Sequence, residues 1–126
     1  MNFLSEKLVF PLLGLLVMTS FPLFAEECEV KAVADLEKCK DKEEVKTSGP
    51  RVEMFDVPEH FALADPSFSG GEGLQDYMSI EDTQIILHTK EEVQCPEKIE
   101  VKGKLTQVDL EGNKAWLIEV SEFKCL

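Results

Sequence analysis

Two cysteines, Cys95 and Cys125, bracket the most strand-like stretch of this chain: C-P-E-K-I-E-V-K-G-K-L-T-Q-V-D-L, then E-G-N, then K-A-W-L-I-E-V-S-E-F-K-C. Ile99, Val101 and Leu105 share a face with Gly103, and Trp116, Ile118 and Val120 alternate inward, which is the period-two signature of half-buried strands. Glu111-Gly112-Asn113 supplies a glycine-containing turn between them. Val108 and Leu110 fall on the opposite parity, so a β-bulge is expected near Gln107. The stretch therefore predicts a hairpin with a cysteine at each outer end. The residues upstream are read as the material that closes it into a small barrel.

The first 25 residues are expected to be no part of that fold. Met1 to Lys7 is short and polar, and Leu8 to Phe24 is almost wholly apolar, interrupted by Pro11, Gly14, Thr19, Ser20 and Pro22. Ala25 stands at a cleavage position, with Leu23 two residues before it. The segment resembles a secretory signal peptide. A spanning helix wants about 20 apolar residues, and this run is shorter and ends at Pro22. Residues 26–126 are expected to form one exported domain, periplasmic or secreted, with no stable membrane span after cleavage.

Acids outnumber bases, 25 to 13, for a net charge of −12. Removing Lys7 and Glu6 takes one charge of each sign and leaves that balance unchanged. Nucleic-acid affinity comes mainly from Lys and Arg displacing phosphate counterions, so nucleic acid is excluded as a partner class. All four cysteines, Cys28, Cys39, Cys95 and Cys125, lie beyond residue 25. An even number in a small exported chain is read as two disulfides. A four-cysteine zinc site and a redox dithiol both favour a C-x-x-C pair, which the chain lacks.

Upstream of the hairpin, Val30, Val33, Leu36 and Cys39 recur every three residues, so Ala32 to Lys40 is read as a short helix or turn. In a straight helix Cys28 and Cys39 would lie ~16 Å apart, beyond the about 7 Å that a disulfide spans. Bonding them would require the lead-in to double back. Glu43 to Phe55 reads as one strongly bent strand, with Gly49-Pro50 where the apolar parity shifts. Residues 56–75 carry Pro58, Pro66, Gly70, Gly71 and Gly73 and read as a long loop, packed down in part through Phe61, Leu63 and Phe68. Asp76–Asp82 and Gln84–Thr89 predict a hairpin turning at Asp82-Thr83.

Five strands, a bent first strand with a central glycine, and the final V-K-G-K-L … A-W-L-I-E-V hairpin together resemble an OB-fold over roughly residues 35–126. The resemblance implies an all-β, five-stranded Greek-key barrel with a short N-terminal helix or turn. K-I-E-V-K-G-K-L is similar to strand 4 of such barrels and W-L-I-E-V-S-E-F to strand 5. In that topology strand 4 begins and strand 5 ends at the same end of the barrel. The resemblance thus implies a Cys95–Cys125 bond and leaves Cys28 with Cys39. Exported haem chaperones of cytochrome c maturation share this general look, but their activity needs a histidine followed four residues later by tyrosine near the C-terminus. Neither residue type follows Cys95, so haem binding is not carried over, and no other cofactor is implied.

OB barrels usually bind through strands 2–3 and the flanking loops, which here means Tyr77 and the 56–75 segment. Phe61, Phe68 and Tyr77 are the candidate ligand-binding residues. Phe55 is a further loop aromatic, and Trp116 within A-W-L-I is read as core. The expected role is that of an envelope binding or accessory module for a protein or small ligand, and not an enzyme. The alternative is a metal-dependent or hydrolytic enzyme using His60 and acids of the 56–75 loop, with Asp65, Ser67 and Ser69 nearby in sequence. No G-x-S-x-G elbow supports it. Asp65, Glu72 and Asp76 do not follow a calcium-loop pattern, so no metal ligands are assigned. His88 is read as an ordinary residue at a strand end.

Overall fold

The structure is a computed structural model and describes residues 27–126. The expected signal peptide, residues 1–25, lies outside the described residues, as does Glu26. In chain order the elements are β1 (Glu27–Val30), α1 (Ala34–Cys39) and β2 (Glu44–Pro50), then three short 3-10 helices at Met54–Asp56, Glu59–Ala64 and Pro66–Ser69. After them come β3 (Leu74–Ile80), β4 (Thr83–Thr89), β5 (Lys98–Leu110) and β6 (Asn113–Cys125). The strands form one mixed sheet in the order β1-β2-β5-β6-β4-β3. The β1–β2 and β4–β6 pairs are parallel and the rest antiparallel.

The expectation of five strands closed into a barrel is corrected on both counts: the sheet has six strands and does not close. The extra strand comes from the lead-in. Cys28 and Cys39 are disulfide-bonded with Cα atoms 5.6 Å apart, so the chain doubles back through α1 and lays β1 beside β2. Thr47, buried in β2, donates its hydroxyl to the carbonyl of Val30 at 2.8 Å and satisfies both groups. The sheet stays open along the β2–β3 seam. Gly49 allows close approach there, since a Cβ would overlap the carbonyl oxygen of Ser79. Pairing nonetheless ends after a single bridge, Arg51 to Met78, because the chain turns away into the first 3-10 helix.

Apolar side chains fill both faces. The inner cluster includes Leu36, Val45, Met78, Ile85, Leu87, Ile99, Leu105 and Ile118. On the outer face Phe61 packs with Tyr77, Ile86, Leu110, Ala115 and Leu117. Covering on both sides is why β4 reads as the unbroken run Ile85-Ile86-Leu87. It also corrects the bulge expected near Gln107. Gln107 pairs regularly with Trp116, and Val108 and Leu110 simply face the outer cluster. The register shift occurs lower down, where Lys102 pairs with Glu122 but Gly103 with Val120, leaving Ser121 as the extra residue. Gly103 is required at that point, because a Cβ would overlap the Glu119 carbonyl.

The β3–β4 turn is Glu81-Asp82, one residue earlier than expected, with Glu81 at φ 56°. The β5–β6 turn is Glu111-Gly112, both at positive φ as a tight two-residue hairpin requires. The second disulfide, Cys95–Cys125, joins the entry to β5 with the end of β6, with Cα atoms 5.1 Å apart. Both disulfide pairings are the ones implied by the OB-fold resemblance.

Candidate functional site

The chain from Arg51 to Gly73 crosses the outer face of the sheet, and its two ends diverge around the first half of β3. A cleft of about 480 Å³ opens there. Its lining is drawn from the 51–54 segment, from Gly73–Tyr77, and from Asp65, Ser67, Thr89, Glu92 and Val93.

Arg51 is the only arginine in the chain, and the fold immobilises it. Its backbone N–H donates to the Glu97 carbonyl at 2.8 Å. Nη1 donates to the carbonyl of Cys95 at 2.5 Å and Nη2 to Asp76 Oδ2 at 2.7 Å. Nε is buried without a hydrogen-bond partner. The guanidinium therefore ties the end of β2, the start of β3 and the Cys95–Cys125 disulfide together.

Beside it runs a polar network on the outer face. Gln75 Nε2 donates to the Phe61 carbonyl at 2.9 Å and to the Tyr77 hydroxyl at 3.0 Å. With the amide so oriented, Oε1 is the acceptor for His88 Nε2 at 2.8 Å, which places the ring hydrogen on that nitrogen. His88 Nδ1 lies 3.4 Å from Glu119 Oε2. These contacts lock the Glu59–Ala64 turn onto β3, β4 and β6. His88 thus has a positioning role in the fold.

The aromatics singled out from sequence separate into two environments. Phe61 (4% exposed) and Tyr77 (7%) face each other, ring centroids 6.0 Å apart, inside the outer cluster. Phe68 is 68% exposed and Phe55 90%. Met54 and Leu74 are exposed as well, and both line the cleft. Trp116 is partly buried against the inner cluster.

His60 stacks edge-on against Phe61 at 5.2 Å. Asp65 accepts from the Ser67 N–H and hydroxyl at 2.9 and 2.8 Å, capping the third 3-10 helix. No hydrogen bond or ion pair joins His60 to Asp65, Ser67, Glu72 or Asp76 among the described residues. Nor do the described residues contain a group of three or more His, Cys, Asp or Glu side chains placed to hold a metal ion.

Sequence reasoning passed over Arg51, Gln75, Met54 and Leu74. The signal for Arg51 was available, since a lone arginine directly after Gly49-Pro50 is unusual in so acidic a chain. Gln75 carried no such signal. Its role arises from strand register, which sets its amide opposite His88.

The cleft lining combines a fixed cation neutralised by Asp76, further carboxylates and the exposed apolar side chains of Met54 and Leu74. Comparison with protein-family models and with curated proteins finds no match to this chain.

Proposed function

We propose that this protein is an exported, disulfide-stabilised binding module with an OB-like sheet, and that it holds its ligand in the cleft between the 51–54 segment and β3. The observation that carries the reading is the cleft itself, with the exposed side chains of Met54 and Leu74 in its lining and Phe55 beside it in sequence. Large exposed apolar side chains grouped around a concavity are the usual mark of an interaction site.

Several features support the rest of the reading. The two disulfides suit an oxidising compartment. No helix among the described residues is long and apolar enough to cross a membrane. The parallel β4–β6 pair, the open β2–β3 seam and the shared end of β5 and β6 agree with a partly open Greek-key sheet of the OB type. The module binds without turning its ligand over.

The test is a fragment and peptide screen read by amide chemical shifts. Hits should perturb residues 51–54 and 73–77. The double variant Met54→Asp/Leu74→Asp should stay folded, because both side chains are exposed, and lose the hits. Hits that map elsewhere, or that survive the double variant, would refute the assignment.

A further inference from the structure

One edge of β3 is left half-used. The Tyr77 carbonyl accepts from the Val52 N–H at 3.0 Å. Backbone direction alternates along a strand, so Tyr77 and Gln75 both turn their backbone groups away from β4 and toward the 51–52 chain. Past Val52 that chain leaves the sheet. The backbone N–H and C=O of Gln75 therefore face the cleft, with no backbone partner there among the described residues.

An open strand edge is a template for a further strand. The lining adds a charge requirement. Asp76 is already paired with Arg51, while Glu53 and Glu92, both in the cleft lining, have no cation within ion-pair distance among the described residues. Lys90, close to Glu92 in sequence, lines a different cleft with Val120 and Phe123.

We propose that the cleft takes an extended peptide segment carrying basic and apolar side chains, which adds to the sheet along the Gly73–Gln75 edge of β3. The peptide backbone pairs with Gln75, its lysines or arginines meet Glu53 and Glu92, and its apolar side chains lie on Met54 and Leu74. This deepens the binding reading above and rests on it.

The experiment titrates the full chain with the hexapeptide acetyl-Thr-Lys-Val-Lys-Val-Thr-amide, its counterpart with Glu for Lys, and a form N-methylated on the central residues. The lysine peptide should bind about tenfold or more tighter than the glutamate peptide, with the advantage shrinking in high salt. N-methylation should abolish binding, and the Gln75 amide should exchange about tenfold or more slowly at saturation. Glu53→Gln/Glu92→Gln should remove the preference for lysine. Equal affinity for the two charge types, unchanged Gln75 exchange, or no binding of the lysine peptide overturns the proposal. If fragments still map to the cleft in that case, the binding reading stands and only the peptide assignment fails.

Discussion

Asp76 Oδ2 sits 2.7 Å from Arg51 Nη2, at a point where both side chains are largely withdrawn from solvent. The pair closes the open end of the sheet, with the Cys95 carbonyl as third partner. Breaking such a pair from one side leaves the other charge uncompensated. Arg51→Ala should cost about 2–4 kcal/mol in urea unfolding. Removing both charges with Arg51→Met/Asp76→Leu should cost less than Arg51→Ala alone. A double variant less stable than that single one would show the ion pair not to be the coupled unit described.

The two disulfides should separate energetically and spatially. Replacing Cys95 and Cys125 by Ala opens the longer loop, 30 residues in sequence separation against 11 for Cys28–Cys39. In the chain-entropy model the losses are about 3–4 and about 3 kcal/mol respectively. Hydrogen exchange supplies the sharper readout. Loss of Cys28–Cys39 should free the β1 amides while β5 and β6 stay protected. Global loss of protection in that variant would count against β1 as an added strand.

Phe61 and Phe68 lie seven positions apart and should behave oppositely. Phe61→Ala removes a buried ring from the outer cluster and should destabilise by about 3–4 kcal/mol. Phe68→Ser, on an exposed side chain, should stay within about 0.5 kcal/mol of the parent. Tyr77→Phe forfeits only the bond from Gln75 and should cost about 1 kcal/mol. Thermal melts of the three variants check this ranking.

Gly103→Ala and Gly49→Ala place a methyl group against backbone carbonyls that cannot swing aside. Each should destabilise by about 1–3 kcal/mol. At Gly49 the damage should centre on the β2–β3 seam, and at Gly103 on the bulge at Ser121. Amide shifts that leave those regions untouched would contradict the packing described.

Acid should weaken the fold through two identifiable carboxylates. Hydrogen bonds from the Lys31 and Ala32 backbone N–H groups hold Asp35 below its ordinary value, and Lys46, then Lys124, hold Glu100 below its own. A depressed folded pKa gives stability that is complete above the ordinary value, 3.8 for Asp35 and 4.5 for Glu100. That stability is lost as pH falls through the depressed value. Asp35→Asn and Glu100→Gln should each flatten the pH dependence of stability below about pH 4.5. Lys102, raised by Glu27 and Glu122, works in the other direction. Its contribution is complete below the ordinary 10.5 and disappears at higher pH. An unchanged acid slope in both carboxylate variants would remove these groups from the account.

Local pattern carried much of this architecture in readable form. The Ile99–Leu105 and Trp116–Val120 alternation, the Glu111-Gly112 turn and the Met78/Ile80 strand all reflect side-chain periods and turn conformations that a few neighbouring residues impose. So does the short helix ending at Cys39. Tertiary structure decided what periodicity cannot encode. A second apolar parity at Val108 and Leu110 has two solutions, a bulge or a second covered face, and only Phe61 landing on that face selects the latter. Glu27–Val30 is too short and too charged to announce a strand, and it becomes one where the Cys28–Cys39 disulfide ties it to α1 and its backbone pairs with β2. The cleft arises where the chain after Arg51 departs from β3, and its members are distant in sequence. They meet because strand register and one guanidinium bring Arg51, Asp76 and Cys95 to the same point.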